Sequence, residues 1–309
     1  MVHANGTMYV YQNGVLANAI AAGAQDGGNI NFPFVIGENN WKNLTFNGAI
    51  DDVRIYSRAL SASEVQALYH LGAANVAHSN TTALSSGLVG YWTFDGGTTH
   101  WNTGNVDDVS GHGNTGQLIN MSTTTSPVPG KIGQALKFNG SSSYVNLGNA
   151  TSLGTGNFTM AAWIKASQAR SDWRDIITKW PNAYAFQIDK GGGGFCPSGG
   201  MSVAGALIMN EANAVVVCGG SVVDDGKWHH VAYTRNGSTR VFYVDGAAIT
   251  SISNTNTIPS LTAALNDNIG QLTGGGQQFT GTIDDVRIYN RALSSSEVQA
   301  LYRMGRVRL

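Results

Sequence analysis

The chain has 309 residues, a formal net charge of −1, 12% charged side chains and 40 glycines. No basic excess is available to neutralise a phosphate backbone, so nucleic acid is not expected as a partner. No run of about 18 apolar residues occurs, so no membrane insertion is expected. The short apolar stretch 15–24 lacks the basic lead-in of a signal peptide.

In chain order, the first informative segment is 46–72, FNGAIDDVRIYSRALSASEVQALYHLG. It returns at 279–305 as FTGTIDDVRIYNRALSSSEVQALYRMG, identical at 21 of 27 positions. An offset of 233 residues is too long for a solenoid repeat and suits a whole domain. The likeness extends backwards, NGTMYVYQNG (5–14) matching NGSTRVFYVDG (236–246), until the first copy runs out at Met1. Residues 1–72 therefore read as the C-terminal part of a truncated domain, 73–86 as a small, polar linker, and 87–309 as a complete second copy. A remnant of 72 residues is marginal alone. Its apolar positions Val10, Ile36, Ile50, Val53, Ile55 and Leu68 would stay wet without partner strands. Self-association through the truncated copy, or packing on the complete one, is expected.

In the complete copy, 87–94, 134–148, 157–165, 184–190, 227–235, 240–246 and 281–290 are rich in Val, Ile, Tyr, Phe and Trp and bordered by turn residues, which predicts strands. Asn139-Gly140 and Asp245-Gly246 are hairpin signals. Many strands without alternating helices predict an all-β, two-sheet antiparallel sandwich. One helix is expected at 294–304: Ser294 and Glu297 form a capping box, Val298, Leu301 and Tyr302 share a face, and Gly305 stops it. Ser61, Glu64, Val65, Leu68, Tyr69 and Gly72 repeat that layout. The helix should lie at the sandwich edge with its stripe inward. Cys196 and Cys218 sit 22 positions apart beside glycine-rich turns. A disulfide between neighbouring strands is the leading reading, with two buried thiols or a metal pair as alternatives.

The segments LVGYWTFDG, DVSGHGNTGQL, ALKFNGSSSYVNLG, FTMAAWIK, KWHHVAYTRNG and GTIDDVRIYNRALSSSEVQALY follow one another in that order. Together they resemble the laminin-G-like domain of the concanavalin A-like lectin/glucanase superfamily across nearly all of 87–305. The resemblance implies a jelly roll and a non-catalytic module of a secreted or surface protein that binds carbohydrate or protein, commonly with bound calcium. An extracellular or cell-surface location is expected accordingly.

Calcium takes six to eight oxygen ligands, and the glycine-rich loop 107–114 offers Asp108 and Asn114. The resemblance brings Asp95 and Asp284 to the same place. Asp284 shares strand parity with Val286 and Ile288 and is expected to face the interior, where a carboxylate needs a partner. Pairing with Arg287 or Arg291, or with backbone amides, is the structural alternative. Asp51, the counterpart of Asp284 in the remnant, lacks an opposing loop and is expected to hold no metal. The histidines show no transition-metal spacing.

Sugars stack their C–H faces on aromatic rings and bond their hydroxyls to polar rims. Trp92, Trp163 and Trp228 lie inside strand motifs and read as core. Trp101, Trp173 and Trp180 lie in polar or turn-rich surroundings, with Arg174 and Tyr184 nearby. These five residues are the candidate ligand surface, loop anchoring being the alternative. Retaining glucanases of this superfamily carry an E-x-D-x-E or E-x-D-x-x-E strand. Here the glutamates are Glu38, Glu64, Glu211 and Glu297, none with that spacing, and no G-x-S-x-G occurs. The expected function is a calcium-stabilised, lectin-like module binding a polysaccharide or glycan. A structural or adhesive module, and a hydrolase with an atypical site, are the alternatives.

Overall fold

The computed structural model describes residues 2–4, 7–12, 15–21, 35–39, 44–46, 53–66, 68, 84–151, 153–168, 172–191, 196, 200–253 and 259–305. Contacts divide the chain into two compact units, 1–78 and 79–308. Ile50, Asp51, Tyr69, Gly72 and most of the expected linker lie outside the described residues.

The first unit holds an antiparallel sheet of β1 (Val2–Ala4), β2 (Thr7–Gln12) and β3 (Val15–Ala21), and a pair, β4 (Glu38–Asn39) and β5 (Leu44–Thr45). A helical turn at 62–66 follows, with Ser61 and Glu64 bonded as a capping box (Glu64 N–H to Ser61 Oγ, 3.3 Å; Ser61 N–H to Glu64 Oε2, 2.8 Å).

The second unit begins with β6 (Leu88–Trp92), β7 (Thr99–His100), β8 (Asn105–Val106), β9 (Gly116–Ile119), β10 (Pro127–Pro129), β11 (Gln134–Asn139) and β12 (Tyr144–Asn146). The long β13 (Phe158–Ala166) is followed by β14 (Arg174–Lys179), β15 (Tyr184–Ile188), β16 (Gly200–Met201), β17 (Ala206–Glu211) and β18 (Val215–Val222). The chain then forms β19 (Trp228–Asn236), β20 (Thr239–Val244), β21 (Ala247–Ser253), β22 (Asn268–Ile269), β23 (Thr280–Tyr289) and the helix α1 (Ser295–Met304). An eight-stranded sheet runs β10-β11-β23-β13-β19-β20-β21, with β6 also on β23; a ten-stranded sheet runs β16-β18-β17-β15-β14-β22-β12-β9-β8-β7. Met160, Ala162, Ile164, Tyr233 and Phe242 of the first sheet meet Ile177, Phe186, Ile188, Leu207 and Met209 of the second in one core. This is the expected jelly-roll sandwich.

Of three local expectations, two change and one holds. Asn139-Gly140 makes a turn, with Asn139 Oδ1 accepting from the N–H groups of Ser141, Ser142 and Ser143, but β11 and β12 belong to different sheets, so no hairpin forms there. Asp245-Gly246 does close a hairpin between β20 and β21, both residues having positive φ (52° and 78°), as a two-residue type I′ turn requires. The helix α1 covers the outer face of the eight-stranded sheet rather than an edge. Val298 and Leu301 pack on Ala161, Ala232, Tyr243 and Tyr289, and Tyr302 stacks on Trp163.

Candidate functional site

The outer face of the ten-stranded sheet carries a cavity of about 190 Å³ lined by Trp173, Trp180, Gln187, Ile208, Asn210, Asn213, Val216, Leu272 and Gln277. Strand alternation explains its make-up. On β15, Tyr184, Phe186 and Ile188 face the core and Gln187 faces out; on β17, Leu207 and Met209 face the core, while Ile208 and Asn210 line the cavity. The two tryptophans flank β14 and lie seven positions apart, a spacing that puts residues on opposite faces of a regular strand. The ladder between β14 and β15 shifts register between Asp175 and Ile177. That bulge adds one residue and returns Trp180 to the face of Trp173.

Each tryptophan is held from behind. Trp173 packs beside the cluster of Ile208, Val216 and Cys218, and Lys190 Nζ lies 4.1 Å from its ring centroid. Cys196 and Cys218 form a disulfide, Cα to Cα 5.9 Å, which ties residue 196 to β18 behind that ring. The backbone N–H of Trp180 donates to Thr273 Oγ1 (3.1 Å). On the floor, Gln187 Nε2 donates to Asp175 Oδ1 (2.6 Å) and to Gln277 Oε1 (2.5 Å). Burial pushes the Asp175 carboxyl well above its ordinary range.

The other three candidates of the ligand surface lie elsewhere. Arg174 pairs with Ile188 and faces inward, 2% exposed, its guanidinium bonded to Asp224 (2.8 Å) and the Ser167 carbonyl. Tyr184 is fully buried, its hydroxyl donating to Asp267 beside Lys179 and Thr151. Its parity with Phe186 and Ile188 carried that signal in the sequence. Trp101 packs against the edge of the main core. The polar floor of Asp175, Gln187 and Gln277 was not anticipated, since it joins the paired strands β14 and β15 to a segment about 90 residues further on.

The acidic candidates form two separate arrangements. Asp108 closes its own loop: Oδ1 accepts from the N–H groups of Tyr91 and Ser110 (2.9 Å each), and Oδ2 from Asn114 N–H (3.0 Å). Burial raises its carboxyl, but these bonds outweigh that and hold it below its ordinary value. Asn114 Nδ2 donates to the Val89 carbonyl (2.7 Å). Asp95 and Asp284 instead meet one turn. Asp284 Oδ2 accepts from Lys131 and Ile132 N–H (2.7 and 2.9 Å), and Asp95 Oδ1 from Gln134 N–H (2.7 Å). A Cβ at Gly133 would lie 2.0 Å from Asp95 Oδ1, and one at Gly130 2.6 Å from Asp284 Oδ2, so the turn needs glycine at both places.

Asp284 does not face the sandwich interior. It lies opposite Trp163, while Ile283 lies opposite core-facing Ile164. The register shifts beside it, with Asp285 at φ 51°, and this bulge breaks the parity with Val286 and Ile288. Asp284 Oδ1 is buried without a partner, and burial, with the nearby charges of Asp285 and Asp95, pushes the carboxyl up to about 8. Among the described residues no group of three or more His, Cys, Asp or Glu side chains is placed to hold a metal ion.

Over an alignment of 164 positions that covers 47% of this chain, it is 28% identical to the adhesion G-protein coupled receptor V1 of Danio rerio, of which it spans only 2%. The binding domain of Paraclostridial mosquitocidal protein 1 superposes with a TM-score of 0.55 at 17% identity, covering 71% of this chain and 52% of that one. Domain 4 of AbnA, an extracellular arabinanase of Geobacillus stearothermophilus solved with arabinotriose, superposes at 0.53 with 21% identity, covering 70% and 98%. At these identities the two structures establish the shared fold alone. No described helix is long and apolar enough to cross a membrane. The laminin G family model matches residues 1–66 and 139–299, more than half of the chain, and the chain therefore belongs to the concanavalin A-like lectin/glucanases superfamily.

Proposed function

We propose that the second unit is a non-catalytic carbohydrate-binding module that takes a glycan into the cavity between Trp173 and Trp180. The observation that carries this reading is the composition of that cavity: two indole rings, three apolar side chains and otherwise only amide side chains. Flat apolar rings receive the C–H faces of a sugar, and amides receive its hydroxyls. Trp173→Ala and Trp180→Ala are each expected to weaken binding at least tenfold, about 1.4 kcal/mol, with the melting temperature nearly unchanged because both rings are only half-buried. Calorimetry against arabinotriose, cellotriose, xylotriose and trigalacturonic acid is the test. Full affinity in both alanine variants, or no binding to any of the four sugars, overturns the reading.

Calcium belongs to this proposal as a structural ion. Asp95 and Asp284 fit it: two carboxylates meet one glycine turn, and one buried carboxylate oxygen lacks a partner. With two carboxylates, the remaining ligands would be backbone carbonyls and water. Bound there, the cation would neutralise the two acids and tie β23 to the turn at 130–134. Asp108 and Asn114 fit it poorly, since three backbone N–H groups already occupy the Asp108 carboxylate.

The location we propose is extracellular or at a cell surface, in keeping with the disulfide. Self-association is proposed through the first unit. Val53 and Ile55 are 49% and 70% exposed there, whereas their counterparts Val286 and Ile288 are wholly buried under neighbouring strands. Val15, Leu16 and Ile20 add 64%, 48% and 52%. Light scattering is expected to give more chains per particle for the full chain than for a variant lacking residues 1–78; the same number of chains per particle would refute it.

A further inference from the structure

We infer that Asp175 is a positioning residue that sets the polarity of the cavity floor, so that Gln187 presents an acceptor and Gln277 a donor to a neutral, hydroxyl-bearing sugar ring. This inference rests on the reading of the cavity as a glycan site and deepens it to a ligand class.

The amide hydrogens decide the matter. Gln187 has two, both on Nε2, and both are used: one goes to Asp175 Oδ1 at 2.6 Å, the other to Gln277 Oε1 at 2.5 Å. What Gln187 has left is its carbonyl oxygen, an acceptor. Gln277 spends its carbonyl oxygen on Gln187, and what it has left is its amide nitrogen, a donor. A single hydroxyl group both donates and accepts, and this pair satisfies both of its roles. A carboxylate only accepts, so it would meet the donor of Gln277 and be opposed by the oxygen of Gln187.

Asp175 holds this order because its backbone and one carboxyl oxygen are both anchored. It is fully buried, its N–H donates to the Gln277 carbonyl at 3.0 Å, and Gln277 sits at a positive φ of 50°. Positions 175 and 277 are thus tied twice, once directly through their backbones and once through the Gln187 amide. With Asp175 Oδ1 as the acceptor, turning the Gln187 amide over would place its oxygen against two other oxygens at hydrogen-bond distance, a cost no solvent offsets at a position 7% exposed. The second oxygen of Asp175 is buried with no partner, so the carboxyl sits there at a cost that packing alone does not explain.

The test compares the tightest-binding neutral trisaccharide of the four sugars above with trigalacturonic acid, on the full chain. The wild type is expected to favour the neutral sugar at least tenfold. Asp175→Leu releases Gln187 and is expected to lower neutral-sugar affinity about tenfold and to collapse that preference. Asp175→Asn keeps an acceptor in place and is expected to restore both to within about threefold. Gln277→Met, at a half-buried position, removes the donor without touching the core and is expected to lower neutral-sugar affinity to a similar degree, which keeps the inference testable if the leucine variant does not fold. A merely structural Asp175 would lower affinity for both sugars together and leave the preference intact, which overturns the inference. So does wild-type preference for the acidic sugar. Wild-type protein that binds neither sugar overturns the underlying reading of the cavity and this inference with it, whereas binding that Asp175→Leu and Gln277→Met leave unchanged overturns the inference alone.

Discussion

Glu211→Gln is expected to destabilise the second unit by about 3–5 kcal/mol, the usual cost of removing one partner from a buried ion pair. Glu211 is fully buried at the end of β17, in the ten-stranded sheet, and its partners come from the other sheet. Its Oε2 accepts from Arg235 (3.2 Å) and Arg240 (3.1 Å), and its Oε1 from the Tyr233 hydroxyl (2.5 Å). Arg235 continues to the carbonyls of Gly154, Gly156 and Pro259, so one carboxylate fastens both sheets and two loops. Glutamine keeps the shape but removes the countercharge that Glu211 gives to two buried guanidinium groups. For a domain of this size the melting temperature should fall by about 6–20 °C, read by circular dichroism on the full chain. A fall of less than about 2 °C would show that the cluster is not what fastens the sheets.

Glu211 also bears on the enzymatic alternative. The sequence shows it standing apart from any other carboxylate, and the structure gives it three partners inside the core. A general acid or nucleophile must reach a substrate, and this group is sealed from solvent.

Features fixed by near neighbours were readable in the sequence. The capping box of Ser294 and Glu297 and the Asp245-Gly246 hairpin each depend on residues a few positions apart, and each has the expected local form. The box forms again at Ser61 and Glu64, with Arg58 on Glu64 at 2.7 Å as Arg291 is on Glu297. Local chemistry suffices for that motif. The strands β17 and β18 were also signalled, by the apolar runs ALIM and AVVVC, but were not assigned. The bulges were not readable. One extra residue at 175–177 puts both tryptophans on one face, and another at Asp285 turns Asp284 away from the core. Strand parity read from sequence assumes an unbroken ladder, and a bulge is set by the partner strand, which sequence order does not reveal. The floor of the cavity was hidden for the same reason, since Asp175, Gln187 and Gln277 meet only through tertiary folding.

In the presence of a chelator the protein is expected to lose stability as pH rises, and calcium is expected to reverse that loss. The carboxyl of Asp284 is pushed up to about 8 from an ordinary value of 3.8, by burial first and then by the charges of Asp285 and Asp95. Its folded value lies above its unfolded value, so the folded state binds the extra proton. The contribution is complete below about pH 4 and is lost as pH climbs through 8, at up to about 1.4 kcal/mol per pH unit. A cation beside Asp284 and Asp95 would favour the ionised acids, and by binding only the folded state would add stability by mass action. The melting temperature in chelator should therefore fall between pH 5 and pH 8, and the gap between calcium and chelator should be widest at pH 8. Asp284→Asn should flatten the pH profile and close that gap together. Asp108→Ala should lower stability equally with and without calcium, because that carboxylate closes a loop through backbone N–H groups rather than facing the acid pair. If wild-type melting curves with calcium and with chelator coincide at pH 8, the ion has no site at this turn. If Asp108→Ala alone closes the gap, the site lies in the 107–114 loop and the assignment to Asp95 and Asp284 is wrong.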